Sequence, residues 1–296
     1  MFHHISHTPI EYGPGVSIFC FGDLQFGLKG FDEEAWNEFK HEFKSTPCAY
    51  GLGLGDYEDW LRPSMRGRIE SAIVHDDSAK QQLDDKIRRD QDSLLKKMSF
   101  LEGKLIGLHQ GHHDWRFNSG EFSSQRIASA LRAPFLGWVA STRLCLKMRL
   151  KSTDGISRGY SYTIVSTHGS SNARFTSTST KWLENSLVHG FLADQYVMGH
   201  ACKSANWTPN EYRIVRREGP PGTINTTPRC LMVGGFHNGF TNGHESTYVE
   251  RSGFLPQPVM WGLIRIKLSH KRELMAKRGI NSTALDVENV NRGPAR

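Results

Sequence analysis

Five short strand-like runs in this chain each lead into a glycine or threonine that is followed at once by a carboxylate or an imidazole. That recurrence limits the fold more than any other feature. Val16–Phe21 leads into Gly22-Asp23-Leu24-Gln25, and Tyr50–Leu54 into Gly55-Asp56-Tyr57-Glu58-Asp59. Lys104–Leu108 leads into Gly111-His112-His113-Asp114, Tyr160–Ser166 into Thr167-His168-Gly169, and Gln195–Met198 into Gly199-His200-Ala201-Cys202. Apolar runs of about 4–8 residues bounded by turn residues read as buried strands. The chain is therefore expected to deliver its polar fragments to a set of strand ends.

Between these runs the period changes from strand-like to helical. Asp32 is placed to cap a helix through about Lys44, with Trp36, Phe39 and Phe43 on one face. The charged, glycine-poor stretch 64–102 carries Ile69, Ile73, Leu83, Ile87, Leu94, Met98 and Leu101, mostly three, four or seven residues apart. It reads as one or two amphipathic helices inserted before the Gly111 fragment. Leu144–Leu150 and Tyr160–Ser166 read as paired strands around the turn Ser152-Thr153-Asp154-Gly155, and a helix is expected near Lys181–Val188. Segments around Tyr212–Arg216, Cys230–Val233 and Leu263–Leu268 read as closing strands of a second sheet. With no repeat and no linker, the expectation is one α/β domain over 1–275 with a helical insertion at about 64–102. The polar stretch 276–296 is expected to be a flexible tail.

Composition narrows the setting. At 296 residues and 38% hydrophobic content the chain can bury a large core. No apolar run approaches the roughly 18–20 residues that span a bilayer, so no membrane partner is expected. The N-terminus lacks a basic region followed by an apolar stretch, so no secretory signal is read there. Five irregularly spaced cysteines do not make a disulfide framework, which favours a reducing, cytoplasmic setting. The formal charge of +7 favours an anionic partner, DNA or RNA included, and equally suits simple solubility.

Carboxylates and imidazoles at strand ends are the donors of a two-metal phosphoesterase, in which a bridging carboxylate holds cations about 3.5–4 Å apart. In type and order the five fragments resemble the calcineurin-like metallophosphoesterase superfamily over roughly residues 16–270. The family pattern is Asp-x-His, Gly-Asp-x-x-Asp, Gly-Asn-His-Asp/Glu, a lone His, and Gly-His-x-His. The stretch from Met198-Gly199-His200 through Gly234-Gly235-Phe236 to Tyr248–Gly262 is most similar to phosphoesterases of bacteriophages and prophages, which would place the protein in a host cytoplasm. The resemblance implies a two-sheet β-sandwich flanked by helices, a four-layer αββα fold, and a metal-dependent phosphohydrolase activity. It further implies a phosphate-ester substrate, a phosphodiester before a monoester, with nuclease activity within reach.

Carried over residue by residue, the resemblance makes Asp23 a ligand of the first metal and Asp56 the bridge. His168 and His200 become ligands of the second metal. His113 lies beside the scissile phosphate, with Asp114 orienting its ring. Arg116, Asn172 and Arg174 become candidate substrate contacts. Three positions depart from the pattern: Gln25 and Cys202 replace first-metal histidines, and His112 replaces an asparagine of the second site and can itself coordinate. An asymmetric centre is therefore expected, with a firm second metal at Asp56, His112, His168 and His200 and a weak or unusual first one. A thiolate suits zinc or iron and hardly magnesium, so one or two ions per chain, manganese, zinc or iron rather than magnesium, are expected. The losses at Gln25 and Cys202 keep a second reading open, a scaffold of phosphoesterase fold without catalysis. A nucleic-acid-binding module is a third. His237 and His244 sit in a glycine-rich turn and are read mainly as exposed histidines.

Overall fold

A computed structural model describes residues 2–12, 15–28, 30–59, 77–149, 157–170, 175–209, 213–214, 225–226, 228–239, 259–268 and 285–294. Its strands are β1 (Phe2–Tyr12), β2 (Gly15–Phe21), β3 (Ala49–Gly53), β4 (Leu105–His109), β5 (Phe135–Gly137), β6 (Val139–Arg149) and β7 (Ser157–Thr167). They continue as β8 (Gln195–Met198), β9 (Ala205–Trp207), β10 (Arg213–Ile214), β11 (Asn225–Thr226), β12 (Arg229–Met232), β13 (Trp261–Leu268) and β14 (Leu285–Arg292). The α-helices are α1 (Glu33–Ser45), α2 (Asp77–Met98), α3 (Ser123–Ala130) and α4 (Thr176–Leu183).

Two six-stranded sheets form the centre, ordered β14-β13-β2-β3-β4-β5 and β1-β6-β7-β8-β12-β9. Strand β2 shows why its sequence is apolar without a break. Val16, Ile18 and Cys20 face the core between the sheets, where they meet Leu144, Leu146, Ile164, Val197 and Leu231 of the second sheet. Phe19 and Phe21 face the other way, under Trp36, Phe39 and Phe43 of α1. A strand covered on both faces reads as a continuous apolar run. The second sheet repeats the arrangement: Val165, Tyr196, Met198, Cys230 and Met232 pack against Leu183 of α4 and the turn after it. The result is the expected four-layer αββα arrangement.

Helix α1 begins as its sequence predicts. Asp32 is extended at φ −86°, and its Oδ1 accepts from the Ala35 amide at 3.0 Å. Its buried face builds an aromatic cluster, with Trp36 stacked on Phe39 at 5.0 Å and Phe39 edge-on to Phe236 and Trp261 at 5.5 and 5.8 Å. Such pairs add about 0.5–1.5 kcal/mol each beyond area burial.

Helix α2 lies within the expected insertion; residues 60–76, including Ile69 and Ile73, fall outside the described residues. Its buried stripe runs Asp84, Ile87, Gln91, Leu94, Met98. Two polar residues therefore complete the helical face that the apolar residues alone left interrupted. Leu94 and Met98 join the core under α1, while Ile87 packs on Trp115 and Phe117.

Two expectations are corrected. The Leu263–Leu268 segment does not close a second sheet: β13 pairs antiparallel with β2, register Ile264↔Ile18, and belongs to the first. The 276–296 stretch is not uniformly a flexible tail, because β14 pairs with all of β13, from Trp261↔Arg292 to Leu268↔Leu285. Its first four residues alternate between half-buried and exposed and its last four are half-buried, as in an edge strand that keeps polar residues partly wet.

Candidate metal centre

The first sheet is parallel across β2, β3, β4 and β5, and β7, β8 and β12 run parallel in the second. Five strand exits thus open at one end of the sandwich, where open α/β sheets bind ligands. The fragments stay stitched together past the strands. Asp23 N donates to Gly55 O at 3.0 Å, Gln25 N to Asp56 O at 3.0 Å, and Asp59 N to Phe26 O at 3.0 Å.

The turns are held in costly conformations. Seven described non-glycine residues have positive φ, and five of them are Asp23 (49°), Gln25 (48°), Asp56 (51°), His200 (58°) and Cys202 (48°). Each such residue costs on the order of 1–3 kcal/mol and persists only where its surroundings hold it. Asp and His accept this region more readily than Gln or Cys. Gly111 is required by close approach: a Cβ there would stand 2.1 Å from Asp56 Oδ1.

Asp56, His112, His168 and His200 converge, with one donor atom from each lying within 4.8 Å of the others. The imidazole centroids are 4.2 Å apart for His112–His200, 4.8 Å for His168–His200 and 5.0 Å for His112–His168. His168 Nδ1 is 2.6 Å from the Leu54 carbonyl, which only accepts, so this nitrogen carries the proton and Nε2 turns to Asp56 Oδ2 at 3.2 Å. Such outer hydrogen bonds orient a ligand imidazole. Asp56 Oδ2, His168 Nε2 and His200 Nε2 are buried without a hydrogen-bond partner, although buried polar atoms are normally satisfied. Three imidazoles and a carboxylate, with orphaned donor atoms on Asp56, His168 and His200, suit a divalent cation of the zinc, manganese or iron type better than magnesium.

The electrostatics divide the cluster. Burial raises the Asp23 carboxyl to about 6, with His168 opposing. Burial also pushes against ionisation of Asp56, but His168 and His113 overcome it and hold that carboxyl below its ordinary value. For His168 burial lowers and the Asp56 carboxylate raises, for a result of about 9. His200 falls to about 3, from burial and then the neighbouring His168 and His112. The Cys202 thiol is pushed up by burial and then by Asp23 and Asp56.

Asp59, not Asp114, is the carboxylate against the His113 ring: His113 Nδ1 lies 2.9 Å from Asp59 Oδ2, and Nε2 lies 3.8 Å from Asp56 Oδ2. The His113 amide donates to Asp56 Oδ1 at 2.8 Å. Asp114 accepts from the Ser124 hydroxyl on α3 and is pushed up to about 8 by burial. The reason is local. The turn after β3 brings Asp59 back across the site, while Asp114 follows His113 into a loop that α3 covers.

Of the other expected residues, Asp23 and Cys202 pair with each other, Cys202 Sγ donating to Asp23 Oδ1 at 3.7 Å. Gln25 sits in the stitched turn. Arg116 is exposed, its guanidinium 5.8 Å from the Phe122 ring centroid. Asn172, Arg174 and His244 lie outside the described residues. One neighbour, Trp138, went unread in the sequence, and a second, His237, is half-buried where an exposed histidine was expected. Trp138 packs edge-on to His112 at 4.6 Å and to His168 at 5.6 Å. His237, lowered by burial and next influenced by Asp59 and His113, is seated over Gly30, where a Cβ would meet its Nε2 at 2.3 Å. Neither sits in a fragment that ends an apolar run, which was the signal available.

No family model and no curated protein matches the chain. Among solved structures it is similar to the calcineurin-like phosphoesterase YfkN from Bacillus subtilis, at 13% identity, with 95% of this chain and 91% of that chain covered and a TM-score of 0.41. It is also similar to Vps29 from Chaetomium thermophilum (12% identity, 94% and 98% covered, TM-score 0.38). Vps29 complexed with Zn²⁺ from Entamoeba histolytica follows at 8% identity, 93% and 99% covered, TM-score 0.39. Scores and identities are low throughout, so the functional reading rests on the chain's own architecture and residues.

Proposed function

We propose that this chain is a metal-dependent phosphoesterase that hydrolyses phosphodiesters. The observation that carries the reading is the convergence of Asp56, His112, His168 and His200, with three orphaned donor atoms, beside a His113 ring held against Asp59. A divalent cation held by those four residues would supply Lewis acidity for a phosphoryl oxygen and would lower the pKa of a bound water. The chain's own part is positioning and proton handling. Contact of Nδ1 with Asp59 leaves His113 Nε2 facing the Asp56 side, where it can donate to a phosphoryl or leaving oxygen. Asp56 fixes the same loop through the His113 amide, so the ring and the cation cradle keep a constant separation. The imidazole-rich donor set supports manganese, zinc or iron as the ion.

The +7 charge supports a nucleic-acid substrate as the first class to try. Five free cysteines support a reducing, cytoplasmic setting. No described helix is long and apolar enough to cross a membrane. The bacteriophage-type likeness rests on the sequence alone.

The test is hydrolysis of bis-p-nitrophenyl phosphate by protein purified without chelator, with Mn²⁺, Zn²⁺, Fe²⁺ and Mg²⁺ and an Asp56→Asn control. Turnover is expected with the first three ions and lost in the control. Metal binding without turnover on this or any nucleic-acid substrate would favour the scaffold reading, which the altered Gln25 and Cys202 positions motivate.

A further inference from the structure

Asp23 and Asp56 occupy matching positions, each one residue beyond a glycine that follows a strand of the parallel pair β2–β3, each 1% exposed. Their oxygens are used differently. Asp56 Oδ1 accepts from the His113 amide, and Oδ2 is left over, facing His168. Asp23 has both oxygens engaged by one loop: Oδ2 accepts from the His200 amide at 2.9 Å, and Oδ1 from the Cys202 thiol at 3.7 Å.

The same loop is pinned on both flanks. Ala201 N donates to Gly199 O at 2.7 Å, and His200 and Cys202 both take left-handed conformations, at φ 58° and 48°. Asp23 is closed in from the other side by Gly235, where a Cβ would stand 2.7 Å from its own Cβ, and by the Phe236 amide, which donates to Asp23 O. The third candidate ligand of that position, Gln25, offers only a neutral amide. The convergent donor set is complete without any of the three.

We propose that the centre is mononuclear. Asp56, His112, His168 and His200 hold one divalent ion, and the Asp23–Cys202 pair clamps the His200 loop where the two-metal arrangement would place another ion. In that clamp Cys202 Sγ is a hydrogen-bond donor to Asp23 Oδ1. Asp23 is then a positioning residue for His200. This rests on the metal reading above and departs from the dinuclear centre that the family resemblance implies, because the residues at the first position do not offer a vacant donor set.

The experiment is a metal count on the full chain. Protein is equilibrated with excess Zn²⁺, Mn²⁺ or Co²⁺, freed of loosely held ion by gel filtration, and measured by plasma mass spectrometry. One ion per chain is expected in the wild type and in Cys202→Ser, and none in His168→Ala. The Co²⁺ form is expected to lack a sulfur-to-cobalt charge-transfer absorption. Restoring imidazoles with Gln25→His and Cys202→His together is expected to raise the count to two. Two ions in the wild type, or a sulfur-to-cobalt absorption that Cys202→Ser removes, would overturn the mononuclear centre and leave the phosphoesterase reading intact. No retained ion in a wild type folded by circular dichroism would overturn both, so the two failures are told apart.

Discussion

The two loops that bring histidines to the site, 111–118 and 199–202, are braced by different means. The first is held from outside. Asp84 of α2 accepts from Trp115 Nε1 at 2.6 Å and from the Asn118 amide at 2.8 Å. Gln91 of the same helix donates to Glu58 Oε1 and to the Ser123 carbonyl, each at 3.0 Å, and accepts from Arg126. The second loop is held from inside, by Asp23 beneath it. A loop clamped by a distant helix can lose its brace without losing the donor set. A loop clamped by a residue of the site cannot be loosened so independently. The comparison makes α2, whose charged sequence looks like a solvated face, part of the support of the site.

The largest effect should separate the two aspartates. Asp56→Asn is expected to abolish ion retention and lower turnover about a thousandfold, equivalent to roughly 4 kcal/mol of transition-state stabilisation. Asp23→Asn is expected to keep one ion and lower turnover only about 10–100-fold, the usual range for a residue that orients a ligand. Equal losses in the two variants, by kcat and metal count, would erase the distinction drawn here.

Next comes the ring partner of His113. Asp59→Asn is expected to reduce kcat by about 10–100-fold with the metal count unchanged, since Asp59 touches His113 and not the donor set. A full-rate Asp59→Asn alongside an impaired Asp114→Asn would return the orienting role to Asp114.

The outer brace is a matter of stability. Asp84→Ala leaves the Trp115 indole and the Asn118 amide without their acceptor and should lower unfolding free energy by about 1–3 kcal/mol in urea titrations. The ion count should remain at one. Loss of the ion in Asp84→Ala would mean that α2 holds the donor set itself.

The smallest effect is graded with pH. His168, raised to about 9 chiefly because the Asp56 carboxylate outweighs its burial, carries a proton at neutral pH in the metal-free protein. Binding an ion must displace that proton, so affinity should fall about tenfold per pH unit on descending from about 9 towards 7. Asp23, at about 6, adds no further step if it is not a ligand. Zinc titrations in a pH series would show a steeper slope below about 6 if Asp23 did ligate.

Much of the fold and of the site was legible in the chain. Continuous apolar runs such as Val16–Phe21 mark strands covered on both faces, and Asp32 with Trp36, Phe39 and Phe43 marks a capped, one-sided helix. What escaped was polar on one face or set by pairing. β14 reads as tail because its wet face is polar, and the partner of β13 follows from sheet order rather than from any residue in β13. Asp84 and Gln91 interrupt an apolar stripe and so look like exposed positions, although both are buried and hydrogen-bonded.

The sequence by itself determined which residues stand at strand exits, because burial on both faces demands unbroken apolar runs and the polar residue that follows each run must emerge at its end. It therefore brought Asp56, His112, His168 and His200 into candidacy without a structure. Only the tertiary structure decided how those exits are used: that Asp59 rather than Asp114 meets His113, and that Asp23 is occupied by the His200 loop while Asp56 turns one oxygen to the imidazole cluster. Those outcomes depend on turns held by hydrogen bonds between distant segments, 57 residues apart for His113–Asp56 and 177 for His200–Asp23, and no local spacing encodes which of two equivalent carboxylates such a turn will satisfy.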